Sequence, residues 1–297
     1  RLKPAPEACP ELYPHYDATA RLLAEMSVPP DFETDGPIRY THRRAEWGDL
    51  YFVANRHSEA VETTCTFRVA GMQPELWDPL TGTSRRLPQF TEHAGRTSVP
   101  MRFEPHQSFF VLFRHGESEV GEKITDAENF PRSESIGELD GAWQVTFDPK
   151  LGGPGDVTFA DLEDWSQRAE PGIKHFSGIA TYRKGFDLPS DSADGNERIL
   201  VDLGVVHNMA RVRLNGHDLG VVWCAPWQVD ATDAIRTKGN LLEIEVANLW
   251  PNRLIGDQAL PEEQRIGWTT LKAYRADSPL LPSGLLGPVS VMRTGDR

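Results

Sequence analysis

Between residues 248 and 257 the chain reads Asn-Leu-Trp-Pro-Asn-Arg-Leu-Ile-Gly-Asp, placing an indole, two amides, a guanidinium and a carboxylate within ten positions. Such a set can recognise a sugar: indole stacks on the apolar face of the ring, while amide, guanidinium and carboxylate hydrogen-bond its hydroxyls. The same residues can also brace a loop. Pro251 and Gly256 fix backbone shape, and Asp257 can cap a turn or pair with Arg253 across it. A guanidinium is costly to bury alone, so Arg253 must meet a carboxylate, an aromatic face or a partner.

Four of the eight tryptophans, Trp223, Trp227, Trp250 and Trp268, fall within this part of the chain. In VVWCAPWQVD (221–230) the apolar neighbours Val221, Val222 and Cys224 favour a core position for Trp223. The candidate carbohydrate-binding or domain-interface residues are therefore Trp223, Trp227, Trp250, Asn252, Arg253, Asp257 and Trp268.

Hydrolysis of a glycoside needs a second kind of constellation, two carboxylates roughly 5 to 10 Å apart. The densest acidic group in the second half of the chain is Asp161, Glu163, Asp164 and Glu170, within FADLEDWSQRAE (159–170). Its spacing, with Phe159, Leu162 and Trp165 three apart, predicts a short helix whose solvated face carries the acids. With 44 acidic residues in the chain, sequence spacing selects no pair, and no catalytic residue is assigned. GxSxG, HExxH, Walker and GxGxxG motifs are absent. Cys9, Cys65 and Cys224 are an odd set without CxxC or ligand-spaced histidines, which predicts free, mostly buried thiols and no metal site.

The elements that must position these groups are mostly strands. DLYFVAN (49–55) is an apolar run, VETTCTFRV (61–69) alternates, and SVPMRFE (98–104) and SFFVLFR (108–114) follow. They predict a small antiparallel β-domain over 38–115. Before it, residues 14–28 place Ala18, Leu22 and Met26 at helical spacing up to Pro29-Pro30, so 1–37 reads as the helical tail of a preceding domain. Residues 116–135 are acid-rich and apolar-poor, as a linker would be. Beyond them WQVTF, IATYRKGFDL, ERILVDLG, ARVRLNG, LGVVWC, NLLEIEVANL and VSVMR predict a second, jelly-roll β-sandwich over 136–297. Asn215-Gly216 predicts a type I′ hairpin turn within it.

The composition is that of a folded protein, 39% hydrophobic and 25% charged. A net charge of −13 without a Lys/Arg strip argues against nucleic acid, and no apolar run is long enough for a membrane helix. Arg1 in place of Met leads us to expect a chain processed or cut from a longer protein.

Taken together, THRRAEWGDLYFVANR (41–56), QPELWDPLTG (73–82), GAWQVTFDPKLGGP (141–154), FSGIATYRKGFDLP (176–189), VRLNGHDLGVVWCAPWQVD (212–230), EVANLWPNRLIGD (245–257) and DSPLLPSGLLGPV (277–289) resemble the C-terminal part of α-L-rhamnosidases of glycoside hydrolase family 106. The second region also resembles the galactose-binding-like jelly roll of β-galactosidase-type enzymes, where a strand–Asn-Gly–strand hairpin and a closing Ser-Gly segment recur. The resemblance implies catalytic carboxylates in a preceding (β/α)8 barrel. That barrel takes roughly 250 residues of alternating strand and helix, which this chain does not contain. It also implies a secreted or periplasmic bacterial protein, a carbohydrate partner such as a rhamnose-containing oligosaccharide, and packing of the chain on that barrel. No cofactor is expected. Galactose-binding-like domains can carry a structural calcium ion, though no loop here has calcium-ligand spacing.

Overall fold

The computed structural model describes residues 17–115, 128–189, 197–271 and 273–296, and within them antiparallel strands dominate. Two compact units divide between Phe130 and Pro131.

In the first unit, alternating side chains feed one core from two sheets. The larger sheet runs in the order Ile38–Ala45, Gly48–Asn55, Ser108–Arg114, Pro74–Trp77, Ser84–Arg86. The smaller runs Phe32–Thr34, Val61–Phe67, Arg96–Phe103, Thr91–His93. Tyr51, Val53, Val111 and Phe113 from the larger sheet meet Phe32, Cys65, Phe67 and Phe103 from the smaller. The thiol of Cys65 lies wholly inside this core, and burial pushes its pKa up to about 12.

Residues 32–34, expected in a helical tail, are a strand of this unit: Phe32 pairs with Phe67 and its ring supplies core area no isolated tail could bury. Helix α1 (Asp17–Glu25) forms as its spacing predicts but buries none of its residues, and Leu22 and Met26 are exposed.

The second unit follows the same logic on a larger scale. A six-stranded sheet runs Asp156–Phe159, Trp143–Phe147, Ile179–Phe186, Asn240–Ala247, Met209–Leu214, His217–Val222. A four-stranded sheet runs Ser133–Glu138, Ser290–Asp296, Glu197–Asp202, Gln228–Asp230. Inward residues of both, among them Val145, Tyr182, Val212 and Ile244 facing Ile199, Val201 and Val291, form a single core, which makes the unit a β-sandwich. Asn215 and Gly216 both have positive φ, 54° and 83°, the type I′ turn expected there.

Three expectations change. Of the span read as a linker, residues 116–127 lie outside those described, and Ser133–Glu138 is a strand paired with Ser290–Asp296. The helix expected over 159–168 is absent. Phe159 ends a strand opposite Trp143, and Trp165–Gln167 is a single 3-10 turn capped by Asp164. Strand pairing on one side and core contact of both aromatics on the other outweigh a spacing of three that would also suit a helix. Finally, residues 251–257 of the presumed loop are helical: α2 (Pro171–Lys174) is followed by α3 (Pro251–Asp257), which starts with Pro251 where its missing N–H costs nothing.

Candidate functional site

Helix α3 of the second unit is where the sequence's candidate residues converge, and it buries most of them. Asn252, Arg253, Ile255, Gly256 and Asp257 are all inside. Such a helix can be buried only if each polar group finds a partner. On one side every polar group does. Asn252 donates to the Leu281 carbonyl (2.7 Å) and to Ser283 Oγ (3.0 Å), and its own Oδ1 accepts from the Leu281 N–H (2.8 Å). Asn248 donates to the Phe176 carbonyl (2.8 Å) and accepts from the Gly178 N–H (3.0 Å). Ser177 donates to the Leu249 carbonyl (2.9 Å) and accepts from the Arg253 N–H (3.3 Å). Asp164, beyond its 3-10 cap, accepts from the Ser283 N–H (2.9 Å).

The opposite side of α3 is charged and incompletely bonded. Arg253 Nε and Asp257 Oδ1 stand 3.5 Å apart with side chains 6% and 2% exposed, an ion pair of i,i+4 spacing without a hydrogen bond between those two atoms. Asp257 Oδ2 accepts from the Gly267 N–H (2.6 Å), tying the following loop to the helix. His175 Nδ1 is a third buried polar atom lacking a hydrogen bond. Burial lowers the pKa of His175, with Arg253 and Lys174 adding to the effect. Burial likewise lowers Arg253 from the ordinary guanidinium value, against the pull of Asp257.

The tryptophans divide differently from the expectation. Trp227 packs against the core, but Trp223 is 59% exposed, Trp250 53% and Trp268 85%. A core position for Trp223 is therefore wrong: it follows His217–Val222, an edge strand of the six-stranded sheet, where Val221 is also exposed. Cys224 is half-buried rather than buried, and Cys9 lies outside the described residues.

The acidic group is drawn into an ion-pair cluster. Glu163 and Glu170 both bind Arg168, at 2.5 Å each, and its guanidinium sits 4.7 Å over the Phe159 ring. The hydrogen bond from Arg168 holds Glu170 below the usual carboxylate range, the reverse of what a general acid needs. Asp161 is exposed. Among the described residues no group of three or more His, Cys, Asp or Glu comes together to hold a metal, and no helix is long and apolar enough to cross a membrane.

His175, Ser177 and Ser283 were not picked out as site residues, although Ser177-Gly178 and Ser283-Gly284 repeat a Ser-Gly pair that sequence displays. Partners of the two serines lie far off in sequence, 72 positions for Ser177 and Leu249, 119 for Asp164 and Ser283 and 31 for Asn252 and Ser283, so only the fold reveals the roles.

The residues so assembled brace distant segments of one β-rich unit through buried amides and a buried ion pair. Comparison with known proteins is specific. Residues 14–92 match the family model described as α-L-rhamnosidase, the family Glyco_hydro_106. The solved rhamnosidase of Novosphingobium sp. PP1Y superposes with a TM-score of 0.83 and 40% identity over 93% of this chain and 26% of that one. A protein of Formosa agariphila named as a β-glucuronidase is 39% identical over 176 residues, 52% of this chain and 15% of that protein. The chain is thus related to the α-L-rhamnosidases of glycoside hydrolase family 106, and it spans about a quarter of the length of the rhamnosidase it matches.

Proposed function

We propose that this chain is the C-terminal, non-catalytic portion of an α-L-rhamnosidase-like glycoside hydrolase that acts on rhamnose-containing plant polysaccharide. In this reading the second unit is a galactose-binding-like jelly roll. It packs on a catalytic barrel of the same protein and frames the mouth of its active site, and the parent is secreted or periplasmic. One observation carries the reading: a mainly β chain matches 26% of a rhamnosidase at a TM-score of 0.83. The Arg253–Asp257 pair and the exposed Trp250 and Trp268 supply a braced helix with apolar neighbours for such a contact.

The test has two parts. The native polypeptide carrying this sequence is sized in its source cells with an antibody raised against the 33.2 kDa chain. A mass larger by roughly 27 kDa or more, one barrel of about 250 residues, is the expected result. The purified chain is also assayed on an aryl α-L-rhamnoside. Turnover that disappears on changing one of its own carboxylates would overturn the proposal.

A second reading, an autonomous carbohydrate-binding module, draws on the exposure of Trp223, Trp250 and Trp268. It requires a native mass near 33.2 kDa. It also requires sugar binding that weakens in Trp250→Ala.

A further inference from the structure

The five-stranded sheet of the first unit has an outer face that breaks the usual rule for antiparallel sheets, in which one face packs on the core and the other is polar. Cross-strand register puts Arg43, Leu50, Leu112, Glu75 and Arg86 in one row. The next row holds Phe52, Phe110 and Trp77. The centre of this face is thus leucine and aromatic, with the Phe52 and Phe110 rings 5.1 Å apart. This is why DLYFVAN and SFFVLFR are continuous apolar runs: both faces are apolar, the mark of a sheet made to be covered twice.

On that face lies a concavity of about 420 Å³, lined by Trp47, Leu50, Trp77, Phe110, Leu112 and Arg114. It falls within the size range of small-ligand sites. One indole of its wall, Trp77, is fixed in place. Trp77 Nε1 donates to Glu75 Oε2 (3.3 Å), the Arg114 guanidinium lies 5.2 Å over the Trp77 ring, and Arg114 Nε is 3.5 Å from Glu75 Oε2. Arg114 Nε nonetheless makes no hydrogen bond although the atom is buried. Trp47, at the tip of the Ala45–Gly48 hairpin, is 46% exposed and Trp77 37%.

The rim is cationic on balance, with Glu75 its one acid among the residues of those two rows. Arg43 and Arg86 are exposed and have no ion-pair partner among the described residues, and Arg114 shares its face with them although paired with Glu75, in a chain whose net charge is −13. A local cationic rim on an acidic protein points to an anionic occupant, and guanidinium groups suit carboxylates. The indole of Trp77, held before any ligand arrives, suits the C–H face of a pyranose ring. A second copy of the chain fits poorly, because a two-fold contact would set arginine rim against arginine rim.

We propose that this concavity is a subsite for an oligosaccharide that carries carboxylates, with a pyranose ring stacked on Trp77 or Trp47 and a carboxylate of the chain received by Arg114. The subsite lies in the first unit, apart from α3, and stands or falls independently of the rhamnosidase reading.

Calorimetric titration of the 297-residue chain with a uronic-acid trisaccharide, trigalacturonate, and with its carboxyl-reduced neutral counterpart tests it. We expect saturable binding of the acid that weakens with added salt, and binding of the neutral sugar weaker by roughly tenfold, the scale of one charge-assisted hydrogen bond. Trp77→Ala should weaken both sugars by roughly tenfold or more, with Trp77→Phe recovering part of the loss. Arg114→Gln should bring the acid down to the neutral sugar's level. Leu241→Ala, at an exposed strand position of the second unit, should change nothing, and urea unfolding should show each variant folded. Absence of saturable binding, or binding unmoved by Trp77→Ala, overturns the proposal. So does a dimer in sedimentation equilibrium that Leu50→Lys dissolves, which would give the face to a second copy.

Discussion

At α3 of the second unit charged and polar side chains are packed inside, whereas on the outer face of the five-stranded sheet of the first unit Trp47 and Trp77 stand exposed beside half-buried Leu50, Phe52 and Phe110. Both arrangements run against the ordinary partition of residues, and they differ in what relieves the cost. Around α3 the relief is internal: Asn252, Asn248 and Ser177 have partners supplied by distant segments of the same unit, and Arg253 has Asp257. On the sheet face the unit leaves Trp47, Trp77, Arg43 and Arg86 exposed, so relief has to come from outside it. A buried polar cluster therefore marks bracing, and an exposed apolar one marks recognition. Substitutions should separate the two, with large stability effects at the first and small ones at the second.

The sharpest break comes at Arg253. Arg253→Ala leaves Asp257 as a buried charge without its cation, a change that costs about 3–5 kcal/mol. In urea the second unit should unfold at much lower denaturant, reported by the buried Trp143 and Trp165. The double change Arg253→Met with Asp257→Leu removes both charges and should recover most of the loss, because an apolar pair of similar volume often replaces a buried ion pair at no net cost. If the double variant is as unstable as the single one, Asp257 braces through Gly267 rather than through Arg253.

Gly256 gives a smaller effect with a distinctive sign. An alanine in a helix interior ordinarily adds up to about 1 kcal/mol over glycine. Here the added methyl carbon would stand 2.6 Å from His175 Cγ and 2.7 Å from its Cβ, too close for any side chain to tolerate unmoved. Gly256→Ala should therefore destabilise, by about 1–3 kcal/mol as overpacking does. Adding His175→Ala should relieve it, a coupling that a double-mutant cycle of unfolding free energies reads directly.

The same histidine sets a pH dependence. Burial lowers its folded-state pKa, so between that value and the unfolded value of about 6.5 the unfolded chain binds the extra proton. Stability from this group is complete above about 6.5 and is lost as pH falls through the folded pKa. Unfolding of the second unit, followed from pH 8 downward, should show that loss. His175→Gln should flatten it. An unchanged slope in the variant would assign the pH response to other groups.

How far the sequence displays all this depends on the range of the interactions. Strands with period-two alternation, such as 61–69, and the Asn215-Gly216 turn are local signals, and the structure holds both. So is the Arg253–Asp257 pair, four residues apart, although the segment that carries it is a helix instead of a loop. The exposure of Trp223 is not local, because it depends on which strand becomes the sheet edge. Nor is the role of Asp164, whose second partner lies at Ser283. The outer sheet face was legible in part. Continuous apolar runs at 49–55 and 108–114 show that both faces are apolar, but only the register places Trp77 beside Phe110 and Arg114 over its ring.

The weakest perturbation belongs to that face and tests the comparison from its other side. Leu50 is half-buried, and its outward side chain makes no part of the first unit's buried core. Leu50→Thr introduces a β-branched residue suited to a strand while removing apolar surface, so unfolding should shift by no more than about 0.5 kcal/mol. Val53→Thr, on the same strand and facing inward with no exposure, should cost several times more, because it buries a hydroxyl without a partner. Equal losses at the two positions would mean that the outer face is part of the fold's own support, and that its apolar surface is not held open for a partner.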